Sequence, residues 1–194
     1  RWSNTNNREL ELRRRLIRHA TDVLRRYGRE DPSAYGWALC WQGHLDLQAG
    51  DAVAAERSAR ECLDIWEMNR GAAGKRLAES LMAQGRNQEA ARIAERAVEW
   101  LTPRFGIDHI DTRQALETWW TAASASGPAS GPCEFALKQL ALDQRSVGVS
   151  VDGFRQRASL VLRERGRSRE EYDLALRMVQ RALGRKPESH DVRV

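Results

Sequence analysis

The stretch GDAVAAERSARECL at residues 50–63 aligns without a gap with the stretch GRNQEAARIAERAV at residues 85–98. The coinciding residues are Gly50 with Gly85, Ala55 with Ala90, Arg57 with Arg92, and Ala59 with Ala94. A period in the range of about 20–50 residues is typical of stacked supersecondary units, none of which buries its apolar face alone. The repeat therefore indicates a binding scaffold rather than a catalytic domain.

The small residues of the repeat predict pairs of antiparallel helices. Glycine adopts the left-handed turn that lets one helix fold back on the next, and alanine lets two helix backbones approach closely. No stretch alternates with a period of two, so we predict no sheet. The predicted pairs are residues 34–48 with 52–68, 72–84 with 87–102, 111–126 with 132–145, and 152–165 with 169–184.

A basic amphipathic helix is predicted ahead of the pairs, at residues 8–27, before Gly28 and the Asp31-Pro32 turn. We expect residues 1–33 to pack on a repeat region of residues 34–184, and residues 185–194 to be the truncated start of a further helix or a tail. The predicted buried face of the helix carries Leu10, Leu16, Ile17, Ala20, Val23, Leu24 and Tyr27. The predicted solvated face carries Arg14, Arg15, Arg18, Arg25 and Arg26.

Composition is that of a folded, water-soluble protein. The 194 residues are 41% hydrophobic and 30% charged, which suffices for a core without disulfides or metals. No apolar run is long enough to span a membrane. The opening Arg1-Trp2-Ser3 is unlike a natural start, so we expect a fragment or a processed piece.

The net charge of +5 is unevenly distributed along the chain. Residues 1–30 carry nine arginines and four acidic residues, and residues 155–186 carry ten basic and four acidic residues. The intervening residues 31–154 carry twelve basic and seventeen acidic residues. Basic ends of this kind either steer an acidic partner such as nucleic acid or form solvated arginine-rich helix faces.

Three cysteines, an odd number, occupy single positions patterned as helix interior: Cys40, Cys62 and Cys133. Cys62 replaces an alanine of the repeat, and an isolated cysteine behaves as a small hydrophobe. We predict buried thiols, and this pattern favours a cytoplasmic over a secreted location.

The repeated pattern resembles the tetratricopeptide repeat (TPR) family. Its best match is the stretch LAESLMAQGRNQEAAR at residues 77–92. The linker containing Gly106, Asp108, His109 and Asp111 resembles a longer variant of the repeat, found in kinesin light chains and in bacterial regulators that carry an ATPase module. The resemblance covers residues 34–184. It implies an all-α, right-handed α-solenoid of about four helix pairs, preceded here by the extra amphipathic helix.

The resemblance also implies a concave groove lined by the first helix of each pair. Positions that face this groove in the family fall on both polar and apolar residues here. The implied partner-binding residues are Trp37, Cys40, His44, Gln48, Lys75, Glu79, Met82, Gln114, Glu117, Thr121, Gln156 and Arg163.

Seven tryptophans are many for this length. Trp41, Trp66, Trp100 and Trp119 are interpreted as core residues. Trp37 stands at a groove position of the family, so we expect it to be the only hydrophobic anchor for a ligand.

No catalytic, cofactor or metal site is predicted. The stretch GAAGKR at residues 71–76 lacks the spacing and the Ser/Thr of a phosphate-binding loop, so it is interpreted as a helix start. Asp108, His109 and Asp111 are fewer than the about four ligands of a structural metal site. Asp111 is instead expected to cap a helix that begins at Thr112. The histidines have no nucleophilic side chain at a sequence spacing that would indicate a catalytic pair.

The sequence therefore favours a non-catalytic protein- or peptide-binding module, the scaffold or sensor part of a larger bacterial regulator. Two alternatives stay open: nucleic-acid binding through the basic ends, and an accessory or enzyme subunit that acts on a peptide in the groove. No membrane association is expected. The oligomeric state and the partner's identity do not follow from the sequence.

Overall fold

The computed structural model describes residues 2–27, 32–65, 70–143, 151–164 and 166–185. These residues form helices and short turns, with no strand among them. The helices are α1 (Trp2–Tyr27), α2 (Pro32–Gln48), α3 (Ala52–Ile65), α4 (Arg70–Ala83), α5 (Asn87–Phe105), α6 (Ile110–Ser126), α7 (Ser130–Asp143), α8 (Val151–Arg163) and α9 (Arg169–Arg185).

The helices stack as a TPR-like right-handed α-solenoid, which confirms the predicted fold class. Each helix packs on the next along the chain. The helix pairs of the repeats are α2 with α3, α4 with α5, α6 with α7, and α8 with α9. The first helices also pack on one another, α2 on α4, α4 on α6 and α6 on α8. The predicted helix ends at residues 68 and 145, and the tail from residue 186, lie outside the described residues.

The hinges of the first two pairs have the same backbone geometry. Gly50 and Gly85 take φ angles of 79° and 76°, in the left-handed region that side-chain-bearing residues avoid. The residue after each glycine donates its N–H back across the helix end, Asp51 to the Asp46 carbonyl at 2.8 Å and Arg86 to the Leu81 carbonyl at 2.9 Å. This helix-ending motif explains why glycine recurs with the period of the repeat.

Alanines and glycines mark the places where helices touch. Ala55, Ala59, Ala90 and Ala94 are all at most 1% exposed. A side chain at Gly71 would begin 2.2 Å from the Leu101 side chain, because α4 and α5 cross there. The largest cluster of buried residues runs from α3 to α9 around Leu77, Leu81, Val98, Leu116, Leu140 and Leu160.

The face that the leading helix presents to the solenoid only partly overlaps the predicted one, since Leu10, Ile17 and Leu24 are half-buried as part of it. Arg14 is 9% exposed and lies against α2, whereas Leu16 and Val23 are 62% and 41% exposed. The predicted burial of Leu16 and Val23 and the predicted solvation of Arg14 are therefore wrong.

Buried acceptors on the solenoid explain why Arg14 faces it. The Asp46 side chain is 1% exposed, and its Oδ1 accepts from Arg14 Nε at 2.9 Å and from Arg18 Nη2 at 3.0 Å. Further along α1, Arg25 Nε donates to the Tyr35 hydroxyl at 2.7 Å and Arg25 Nη2 pairs with Glu61 at 3.2 Å. Because a buried carboxylate without a partner is costly, these pairs determine how α1 docks.

The linker between α5 and α6 differs from the prediction in its cap. His109 is the N-cap of α6, and its Nδ1 accepts from the Asp111 N–H at 3.3 Å. The prediction that Asp111 caps the helix is wrong, because the extended residue is His109 and Asp111 already lies in the first turn. Asp108 instead accepts from Arg157 Nη1 at 2.7 Å, which ties the linker to α8.

Candidate functional site

The first helices of the pairs line one side of the solenoid. We call the surface formed by α2, α4, α6 and α8 the inner groove. Three cavities open along it. The aromatic cavity, of about 340 Å³, lies between α2, α4 and α6. The central cavity, of about 580 Å³, lies between α4 and α6, and the distal cavity, of about 600 Å³, lies between α6 and α8. Gln114 lines all three, so they form one continuous surface.

Two tryptophans form the wall of the aromatic cavity. Trp37 and Trp41 stand one turn apart on α2, with ring centroids 5.9 Å apart. They are 56% and 46% exposed, so the prediction that Trp41 is a core residue is wrong. The opposite face of α2 buries Tyr35, Ala38, Leu39 and Gly43, which leaves the face of residues 37, 41 and 44 to the groove.

The other tryptophans follow the prediction in part. Trp119 is 6% exposed and belongs to the core. Trp100 is half-buried and packs against the same core, with the Arg104 guanidinium 4.2 Å from its ring centroid. Trp66 lies outside the described residues.

A buried cation lies beneath the aromatic pair. Lys75 is 7% exposed, and its Nζ donates to Gln114 Oε1. Burial lowers the pKa of Lys75, although the carboxylates of Glu79 and Asp111 act in the opposite direction. Neither carboxylate lies within ion-pair distance of Nζ in the described part of the chain. The cavity therefore combines exposed aromatic surface with a cation that has a neutral partner.

His44 completes this wall as a neutral ring. Burial, with help from the charge of Arg76, lowers the pKa of His44. The ring meets Trp41 edge-on, with centroids 5.7 Å apart, and its Nε2 is 3.1 Å from Gln48 Nε2. At neutral pH this histidine therefore adds a polar but uncharged edge to the cavity.

The distal cavity is built from polar groups that already pair with each other. Arg163 Nη2 contacts both oxygens of Glu117 at 2.9 Å. Arg113 Nε donates to Gln156 Oε1 at 2.8 Å, and Gln156 Nε2 donates back to the Arg113 carbonyl at 2.7 Å. The Arg163 guanidinium also lies 4.1 Å from the ring centroid of Trp120. These contacts join α6 to α8.

Eleven of the twelve implied groove residues line the three cavities. Gln48 does not, because it is the last residue of α2 and lies one turn beyond His44. Those on the aromatic cavity are Trp37, Cys40, His44, Lys75 and Gln114; the central cavity adds Glu79, Met82, Glu117 and Thr121, and the distal cavity adds Gln156 and Arg163.

Sequence reasoning missed several lining residues. Trp41 was identifiable, because it stands four residues after Trp37 and so shares its helix face. Arg76 and Asp111 join the aromatic cavity from α4 and α6, and Arg113 and Arg155 join the distal cavity. Helical periodicity could have identified the last three, because they stand three, four and eight residues before the predicted groove residues Gln114, Glu117 and Arg163.

Within the described ranges, no group of three or more His, Cys, Asp or Glu side chains could hold a metal ion. None of the helices described is both long enough and apolar enough to cross a membrane.

Comparison with known proteins supports the fold. No family model matches the sequence, and no curated protein matches it. A solved structure of nearly identical TPR-like repeats from a candidate kinesin light chain of Podosopora anserina is similar, with a TM-score of 0.71 and 15% identity. That match covers 95% of this chain and 92% of the other. A single-residue variant of the same repeats matches with a TM-score of 0.71, 16% identity, and coverage of 95% and 91%. The likeness shows a TPR-like solenoid.

Proposed function

We propose that the protein is a non-catalytic binding module whose inner groove holds a peptide segment or an amphipathic helix of a protein partner. The observation that supports this most is the exposed pair of Trp37 and Trp41 in a concave surface. Aromatic side chains in concavities often dominate binding energy, because they bury much area at little conformational cost.

The shape of the groove suits an elongated ligand. The cavities follow one another from α2 to α8 and share Gln114, so one bound segment would touch several repeats at once. Exposed apolar surface extends from the aromatic cavity into the central cavity beside Met82 and Ala83, and charged and polar side chains line the distal cavity. This distribution fits a segment that is apolar where it meets α2 and α4 and polar where it meets α8.

The wider setting is inferred from the sequence. The linker with Asp108 and His109 resembles that of repeats in bacterial regulators, so we infer the scaffold or sensor part of such a regulator. Cysteines that are not in disulfides support a cytoplasmic location.

The nucleic-acid alternative is weakened at the N-terminal basic end. Arg14, Arg18 and Arg25 pair with acidic residues of the solenoid itself. Phosphate binding would need these cations to be available.

The proposal is tested by selection from a display library of random peptides with the immobilised full chain. We expect selected peptides to share an apolar side chain and to lose binding to a Trp37→Ala/Trp41→Ala double variant. The matched control is Phe105→Ala, because Phe105 is a comparably exposed aromatic (48%) outside the inner groove. Its variant should bind the selected peptides as the unmodified chain does.

Two results would count against the groove. One is a set of peptides that bind the double variant and the unmodified chain equally. The other is loss of binding in Phe105→Ala alone, which would place the contact at the end of α5, outside the inner groove.

A further inference from the structure

Two thiols meet at the floor of the aromatic cavity. Cys40 of α2 and Cys62 of α3 place their Sγ atoms 3.1 Å apart, and neither is in a disulfide. Cys62 Sγ also donates to the Gly36 carbonyl at 3.3 Å. A disulfide bond is about 2 Å long, so the sulfurs need to approach by only about 1 Å. The two helices are therefore already positioned for a cross-link.

The two thiols differ in their access to solvent. Cys62 is fully buried, whereas Cys40 is half-buried and lines the cavity beside Trp37 and Trp41. Cys40 also lies close enough to Lys75 to interact with it electrostatically. A small oxidant in the groove would thus reach Cys40 first, with Cys62 directly behind it.

The arrangement is confined to the first helix pair. One period later, the positions of Cys40 and Cys62 are occupied by Lys75 and Ala97. Packing in this fold therefore does not require two thiols there. Cys133 provides a contrast, since its buried Sγ donates to the Leu160 carbonyl, and burial raises the pKa of its thiol to about 11.

We propose that Cys40 and Cys62 are an oxidative modification site, a reversible dithiol–disulfide couple whose co-reactant is a hydroperoxide. The Cys40 thiolate attacks the terminal peroxide oxygen, becomes a sulfenic acid and releases the alcohol, or water from hydrogen peroxide. The Cys62 sulfur then attacks Cys40 Sγ and displaces the hydroxyl, which leaves as water. In sum, one dithiol and one hydroperoxide give one disulfide, one alcohol and one water, and two electrons pass from the sulfurs to the peroxide bond.

The cross-link ties α2 to α3 beneath the aromatic pair. It closes a chain loop that includes the Gly50 hinge, which lowers the conformational entropy of the unfolded chain. We expect the oxidised protein to melt roughly 5–10 °C above the reduced protein.

The test is peroxide titration of the reduced full chain, followed by intact mass and peptide mapping under non-reducing conditions. We expect the loss of two hydrogen atoms per chain, a linked pair of peptides containing Cys40 and Cys62, and full reversal by a dithiol reductant. Cys133→Ser should behave like the unmodified chain. Cys62→Ala copies the residue that repeat two carries, so it should fold, and its Cys40 should gain oxygen atoms rather than form a bond.

Each alternative outcome overturns the proposal. These are disulfides between chains, oxygen addition to Cys40 of the unmodified chain, or a linked product that contains Cys133. The readout is chemical and needs no ligand, so the result does not depend on whether the groove binds a peptide. If Cys62→Ala fails to fold, Cys40→Ser takes its place, with its fold checked by circular dichroism. Peroxide should then give no linked pair of peptides.

Discussion

Both ends of the inner groove are built from the first helices of the pairs. They differ in how many of their side chains already have a hydrogen-bond or ion-pair partner within the protein. At the α2 end, Trp37 and Trp41 are about half exposed, and Lys75 donates to the neutral Gln114. At the α8 end, Arg163 and Glu117 neutralise each other. A ligand gains little by replacing contacts that exist, so the comparison predicts that binding energy is concentrated at the α2 end.

The fold that carries both ends should lose stability if a large side chain is introduced between α4, α5 and α6. Ala90 of α5 is fully buried, and α5 packs on both α4 and α6. Ala90→Trp should destabilise the protein by about 3 kcal/mol or more, because no space exists for an indole. Arg92→Trp, at an exposed position of the same helix, is the control. Urea unfolding measures both, and equal stability of the two variants would contradict the helix register.

The α8 end should lose stability on its own when its contact with the α5–α6 linker is removed. Arg157 is 1% exposed and pairs with Asp108. Asp108→Asn leaves a buried guanidinium with less compensation, at a cost of roughly 2 kcal/mol. Hydrogen exchange should then quicken in α8 and α9 and stay unchanged in α2. Uniform exchange throughout the described helices would show that the two ends are not separable.

The surface pair of the distal cavity should matter little for stability. Arg163 and Glu117 are about 40% exposed, and exposed pairs contribute at most about 1 kcal/mol. Arg163→Ala should therefore lower the free energy of unfolding by no more than this amount. A larger loss, measured by urea unfolding, would mean that the pair and Trp120 hold α6 and α8 together.

The smallest expected effect is a pH dependence at the α2 end. The pKa of His44 is lowered, so the unfolded chain binds a proton there at higher pH than the folded chain does. The stability contributed by neutral His44 is present above its unfolded pKa, of about 6.5, and is lost as the pH falls towards the folded value. His44→Gln should remove this loss. Thermal melts of both proteins between about pH 7.5 and 5 measure the difference, and parallel curves would contradict it.

Local sequence signals predicted the fold well. Gly50 and Gly85 need left-handed backbone, and Ala55 and Ala90 need close helix contact, so their period fixed the helix pairs to within a few residues. The glycine turns are local, and the alanine contacts join helices that are neighbours along the chain, which is why a single sequence reveals both.

The rest depended on partners distant in sequence. Arg14 is drawn to the solenoid by Asp46, 32 residues away, and periodicity alone assigned this arginine to solvent. Asp108 lies 49 residues from Arg157. Trp41 was a different error, because its spacing from Trp37 already placed both rings on one face. The size and hydrophobicity of Trp41 favoured the core, whereas its position on the helix favoured the groove.

The most direct test of the central claim is the affinity of one selected peptide for two single variants, measured by calorimetry. Trp37→Ala should cost about 2 kcal/mol or more of binding free energy, while the melting temperature stays within a few degrees. Arg163→Ala should cost at most about 0.5 kcal/mol, because its charge is already paired within the protein. Equal losses, or a larger loss for Arg163→Ala, would contradict the claim that the α2 end anchors the partner.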